Sequence, residues 1–182
     1  MKKTAILLAS GFEEVEALTA VDLLRRAGVQ CDMVSLDGNA TVTGSHGIAV
    51  GADLGFNAAD FDGYDGVILP GGMPGTTHLG DDPRVLELLR RFAAAGKLTA
   101  AICAAPTVLG KAGLLRGKTA VCYPGMEDGL TGATVGTHPV ERDGCVITSR
   151  GVGTAIPFAL ALAAYFCGEA KAEALAKSVV YG

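Results

Sequence analysis

Apolar and polar positions alternate between two periods along the chain. Continuous apolar runs at Thr4–Leu8, Cys31–Leu36, Val67–Leu69 and Leu98–Ile102 predict buried strands, and the segments between them repeat apolar residues every three to four positions. Glu13 to Ala27 predicts a helix with a stripe of Ala17, Ala20, Val21, Leu24 and Gly28, stopped at Gly28. Asp37-Gly38-Asn39 predicts a turn into a β-rich stretch, Thr41 to Val50. Pro83 to Ala95 predicts a helix with proline near its start. Beyond it come a helix near Pro106–Ala112, strands around Thr119–Cys122 and Cys145–Thr148, and helices over Thr154–Phe166 and Glu169–Val179.

Strands separated by helices pair in parallel through right-handed crossovers, which predicts an α/β fold with an open, mostly parallel sheet covered on both faces. Ligands collect at the carboxyl ends of such strands. Ala9-Ser10-Gly11, Pro70-Gly71-Gly72 and Cys103 are the strand ends that meet there.

Composition narrows the function classes. With 182 residues, the chain reads as one domain spanning 1–182, and 49% apolar content with 26 glycines suits helices lying close to a sheet. A net charge of -4 and the absence of a Lys/Arg cluster point away from nucleic acid and from anionic membranes. Met1 to Ala9 begins like a signal peptide but breaks at Ser10-Gly11 and meets Glu13-Glu14, so a first strand is the better reading. Ala155 to Cys167 contains Pro157 and is short for a bilayer crossing. Five cysteines (31, 103, 122, 145 and 167) show neither a C-x-x-C pair nor zinc-type His/Cys spacing, which predicts reduced thiols in a cytoplasm and no metal site.

Cys103 carries the candidate chemistry. It stands where the run Ala100-Ala101-Ile102 passes into Ala104-Ala105-Pro106, and a thiol at a strand-to-helix turn meets free backbone N–H groups that favour thiolate. Simple packing is the competing reading, and it is the expectation for the other four cysteines. A thiolate needs a proton partner, for which His46, His78, His138, Glu13, Glu14 and Glu16 are candidates; periodicity does not choose among the three glutamates. The N–H groups of Gly71 and Gly72 are placed to join that of Ala104 in holding an oxyanion, or the pair is only a tight turn. Ser149-Arg150-Gly151-Val152-Gly153-Thr154 reads as a loop between strand and helix.

Taken in order, Gly11-Phe12-Glu13-Glu14-Val15-Glu16, Val21 to Gly28, Leu69-Pro70-Gly71-Gly72, Ala100 to Pro106 and Thr148 to Thr154 resemble the ThiJ/PfpI superfamily in its DJ-one branch, over essentially the whole chain. The resemblance implies a single class I glutamine amidotransferase-like domain with a flavodoxin-like three-layer α/β/α sandwich. Cys103 then matches the reactive cysteine, Glu16 the protonated glutamate that hydrogen-bonds its thiolate, and Gly72 and Ala104 the backbone donors of the anion pocket. It implies a homodimer to which the first helix contributes, with Arg26 approaching the partner's active site.

Three positions depart from the pattern. Ala104 stands where protease-like and amidase-like relatives place a histidine, which disfavours proteolysis. Tyr123 aligns with a histidine beside the cysteine, and His46 with an arginine near the dimer pocket. The activity implied is that of a cofactor-independent glyoxalase or deglycase acting on methylglyoxal, related α-oxoaldehydes or early glycation adducts. The alternative is an oxidative-stress sensor or redox-regulated chaperone working through Cys103 oxidation.

Overall fold

The structure is a computed structural model describing residues 1–182. In chain order its elements are β1 (Lys3–Leu8), α1 (Glu14–Ala27), β2 (Gln30–Ser35), β3 (Thr41–Thr43), β4 (Ala49–Gly51), β5 (Leu54–Gly55), β6 (Gly66–Leu69), α2 (Gly75–Asp81), α3 (Pro83–Ala94), β7 (Leu98–Ile102), α4 (Pro106–Lys111), β8 (Thr119–Ala120), β9 (Thr134–Val135), β10 (Val140–Asp143), β11 (Val146–Ser149), α5 (Ala155–Cys167) and α6 (Glu169–Ser178). Seven strands form the central sheet in the order β10-β11-β7-β6-β1-β2-β5, parallel throughout except for the β10–β11 edge.

Alternation along the strands sends side chains to two cores. Ala5, Leu7, Val67, Leu69 and Ala101 face Leu79, Leu89, Phe92 and Leu109 from α2, α3 and α4. Ile6, Leu8, Ile68, Ala100 and Ile102 face Ala17, Ala20 and Leu24 of α1 and Phe158 and Leu162 of α5. Helices on both faces make the three-layer α/β/α sandwich of flavodoxin-like type that the strand–helix alternation and the resemblance led us to expect. Truncating a fully buried side chain such as Leu24 or Phe158 costs about 2–5 kcal/mol.

Local signals set the helix limits. Gly28 adopts φ 89° and its N–H reaches Leu24 and Arg25 carbonyls, closing α1. Asp82 caps α3 by accepting from Arg84 N–H at 2.8 Å, with Pro83 in the first turn.

Three expectations are corrected. The strand expected at Thr119–Cys122 stops at Ala120 and leaves the main sheet to pair with β9, because the Val121 N–H is taken by Thr148 Oγ1 and the chain then turns at Tyr123-Pro124. The β-rich stretch expected at Thr41–Val50 is present, as a two-stranded antiparallel hairpin outside the main sheet. Cys145 lies just before β11, half-buried, and Cys167 at the end of α5 is exposed, so neither is a core packing residue.

Candidate active site

Parallel pairing brings three strand ends side by side. In register, Leu69 of β6 stands opposite Ala101 of β7, and Ile102 opposite Ser149 of β11. The residues that follow, Gly71-Gly72, Cys103 and Arg150, therefore emerge at one edge of the sheet, where α1 also begins.

Cys103 is held in the left-handed region at φ 65°, a conformation costing a non-glycine residue about 1–3 kcal/mol. Its backbone is fixed on both sides: its N–H donates to Ser149 O at 3.0 Å, and its carbonyl accepts from Tyr123 N–H at 2.7 Å. The thiol is half-buried. A turn over residues 103–105 precedes α4, and the N–H groups aimed at the sulfur are those of Ala104, in this turn, and Gly72, across from it. Neither donates to a backbone carbonyl, so both remain available to a negative atom.

Glu16 comes from the first turns of α1 and is buried. Its Oε2 accepts from Gly71 N–H at 2.8 Å. That bond corrects one expectation, since the Gly71 N–H is spent on the carboxyl and is not free for an oxyanion, whereas those of Gly72 and Ala104 are. Gly71 also leaves room for the pair. A Cβ on it would lie 2.7 Å from Glu16 Oε2 and 3.1 Å from Cys103 Sγ, so the thiol and carboxyl flank the same point. Glu16 Oε1 is buried without a formal hydrogen-bond partner.

Burial raises the Glu16 carboxyl to about 7, opposed by the Gly71 N–H and the Cys103 thiol. Burial and the Glu16 charge then push the Cys103 thiol up to about 12, against the pull of the Ala104 and Gly72 N–H groups. The pair therefore gives up one proton near neutrality and the second only at far higher pH. Periodicity left three glutamates open as proton partners, and the resemblance implied Glu16. The structure puts that carboxyl beside the thiol, so the single negative charge belongs to both groups.

The thiol opens into a cavity of about 470 Å³ lined by Glu13, Glu16, Gly72, Tyr123, Pro124, Arg150 and the loop Gly151–Thr154. Tyr123 is half-exposed, and its ring lies against Gly151. Of the candidate proton partners, Glu16 and Glu13 line this cavity and the histidines do not. His78 Nδ1 meets Ser10 O at 3.0 Å, and His138 Nδ1 meets Glu141 at 2.8 Å. Arg26 lies ten residues beyond Glu16 on α1, about 15 Å along the axis, and pairs with Asp22. It is far from the thiol of its own chain. Arg150 went unrecognised because its loop carries only a weak glycine signal.

His46 belongs to a neighbouring clamp. Glu14 is buried, and its carboxylate accepts from His46 N–H at 2.8 Å and Ile48 N–H at 3.3 Å and meets His46 Nδ1 at 3.0 Å. These bonds overcome the cost of burial and hold Glu14 down at about 2, while Glu14 raises His46. Glu13, Glu14 and His46 place potential metal-ligand atoms within 4.8 Å of one another. Glu14 already fills both oxygens with donors, so the grouping is a carboxylate clamp that ties α1 to the β3–β4 hairpin. No helix is long and apolar enough to cross a membrane.

Comparison with known proteins identifies the family. Residues 2–165 match the model of the DJ-1/PfpI family. Protein dj-1beta of Drosophila melanogaster is 40% identical over 181 residues, covering 98% of this chain and 97% of that one. Its crystal structure superposes with a TM-score of 0.94 at 39% identity, over 100% of this chain and 98% of the other. A deglycase of Pyrococcus horikoshii is 34% identical over 151 residues, covering 81% and 89% of the two chains. The structure of oxidized Toxoplasma gondii DJ-1 superposes with a TM-score of 0.94 at 35% identity, over the full length of both chains.

Proposed function

The chain belongs to the DJ-1/PfpI family, and from that premise we propose that it is a cofactor-independent, cysteine-dependent enzyme of glyoxalase or deglycase type, acting on α-oxoaldehydes such as methylglyoxal or on early glycation adducts. The observation that carries this reading is the placement of Cys103 and Glu16 on either side of Gly71, with the Gly72 and Ala104 N–H groups aimed at the sulfur. The similarity to a deglycase of Pyrococcus horikoshii supports the same chemistry.

The singly ionised pair supplies a thiolate when Glu16 holds the remaining proton. Cys103 Sγ adds to the aldehyde carbon, a C–S bond forms, and the carbonyl π pair moves to oxygen, where the Gly72 and Ala104 N–H groups hold it. Glu16 gives that oxygen its proton, leaving a hemithioacetal. The Glu16 carboxylate then takes the hydrogen from the same carbon, the electrons pass to the neighbouring ketone through an enediolate whose hydroxyl proton passes from the first oxygen to the second, and Glu16 returns the carbon-bound proton to the second carbon. The first carbon is oxidised, the second is reduced, and no outside electron carrier is needed. Water cleaves the resulting thioester, releasing a 2-hydroxy acid and the thiol. Acid formation from methylglyoxal without glutathione tests this; absence of turnover, or turnover unchanged in Cys103→Ser, overturns it.

A homodimer is part of the proposal. Val15 and Leu18 share the outer face of α1 and are 48% and 37% exposed, and Ile156 at the start of the neighbouring α5 is 37% exposed. Such a face beside the site supports a second copy seated there, with Arg26 and His46 at its edge. We place the enzyme in the cytoplasm, in keeping with five cysteines that form no disulfide.

A second reading rests on the oxidized relative from Toxoplasma gondii. In it the Cys103 thiolate attacks a peroxide oxygen, the O–O bond breaks with hydroxide leaving, and a second peroxide carries the sulfenic acid to sulfinate, so that oxidation serves as a stress signal or chaperone switch. Mild peroxide followed by peptide mass spectrometry tests it, and equal modification of all five thiols removes its basis.

A further inference from the structure

Arg150 stands one residue beyond the Ile102–Ser149 register pair, which puts it opposite Cys103 across the edge of β7 and β11. It lines the same cavity as the thiol. Arg25, Arg26, Arg84 and Arg91 are each tied to an aspartate. The Arg150 guanidinium has no such partner; only its backbone is engaged, with the N–H donating to Thr154 Oγ1 at 3.2 Å.

The base of Arg150 is nevertheless fixed. Thr154 Oγ1 also accepts from Gly151 N–H at 3.1 Å and meets Ser149 Oγ at 2.7 Å, so one hydroxyl pins the loop on either side of Arg150. The Tyr123 ring packs against Gly151 in the same loop. The side chain therefore leaves a rigid backbone and ends in an uncommitted cation.

The acids near it each accept a hydrogen bond from another group, and none forms an ion pair with Arg150. Glu13, on the far wall, meets Ser45 Oγ at 3.3 Å and His46 Nδ1 at 3.5 Å. Glu127, in the adjoining cleft, takes the Gly125 N–H at 2.8 Å. Glu16 is bound to Gly71.

We propose that Arg150 is a specificity-determining residue that selects carbonyl compounds carrying a carboxylate or phosphate a few bonds from the reactive carbon. The anionic end is held by the guanidinium while the carbonyl faces Cys103, a pairing suited to a charged, multiply hydrogen-bonding cation. The inference rests on the reading of Cys103 as nucleophile and adds the charge of the substrate to it.

Alkylation separates the two claims. Iodoacetate and iodoacetamide react alike: the thiolate forms a C–S bond and iodide leaves with its pair, yet the two reagents differ by one negative charge. The Cys103 rate-constant ratio of iodoacetate to iodoacetamide is expected to fall about fivefold in Arg150→Gln, to recover in Arg150→Lys, and to shrink with added salt in the wild type. A ratio unchanged in Arg150→Gln overturns the role of Arg150 and leaves the nucleophile reading standing. Failure of both reagents to label Cys103 overturns the two together. Competition by inorganic phosphate or by acetate, weakened in Arg150→Gln, then distinguishes phosphate from carboxylate as the preferred group.

Discussion

The Gly71 N–H donates to Glu16 Oε2 at 2.8 Å, joining the loop after β6 to α1 beside the Cys103 thiol. This bond keeps the carboxyl in a buried position and leaves space for the sulfur where any other residue would carry a Cβ. Gly71→Ala brings a methyl against both groups. Its expected effect is a drop in turnover of at least tenfold and a stability loss of about 1–3 kcal/mol by denaturant titration. Wild-type turnover in Gly71→Ala contradicts the tight placement.

The shared proton predicts a pH profile. With Glu16 raised to about 7 and the thiol pushed up to about 12 beside its charge, Cys103 alkylation by iodoacetamide is expected to rise with an apparent pKa near 7, the first ionisation of the pair. Glu16→Gln leaves only the thiol to ionise, and the profile moves upward. A profile unmoved by Glu16→Gln separates the two groups.

Much of this frame was legible from sequence. The β1, β2, β6 and β7 strands are apolar runs, and α1 and α3 carry their own stop and start signals in Gly28 and Asp82-Pro83. Helix α2 was not, because Gly75-Thr76-Thr77 is a poor helix-forming start and tertiary packing decides it. Strand β10, Val140-Glu141-Arg142-Asp143, is too charged to resemble a strand and exists as the antiparallel edge partner of β11. Within the site, Cys103 was marked by its strand end. Helical spacing left Glu13, Glu14 and Glu16 equivalent, since which carboxyl turns inward depends on the seat of α1 on the sheet. Arg150 was hidden in a loop whose proximity to Cys103 arises from strand order alone.

Glu14 and Glu16 predict opposite pH effects on stability. Glu14 is held down at about 2 from an ordinary 4.5, so its contribution is complete above pH 4.5 and is lost as pH falls toward 2. Glu16 is raised from 4.5 to about 7, so the folded state binds the extra proton and stability falls as pH rises through that window. Glu14→Gln is expected to lose about 1.5–3 kcal/mol at pH 7, and Glu16→Gln to gain up to about 3 kcal/mol above pH 7. Thermal melts across pH 3–8 check both signs, and a wild-type slope retained in Glu16→Gln contradicts the assignment.

The outer face of α1 predicts an assembly phenotype. Leu18→Glu places a charge on the exposed apolar face formed with Val15 and is expected to convert a dimer to a monomer in sedimentation velocity while leaving the melting temperature of the fold within a few degrees. A dimer unaffected by Leu18→Glu moves the interface away from α1.

The central claim, that Cys103 adds to a carbonyl and Glu16 moves the proton, is tested most directly by quenching the reaction with methylglyoxal and mapping adducts by peptide mass spectrometry. One methylglyoxal equivalent is expected on Cys103, discharged as lactate by the wild type and retained by Glu16→Gln, in which conversion slows about 100-fold or more. Adducts spread evenly over the five cysteines, or lactate still formed by Cys103→Ser, contradict it.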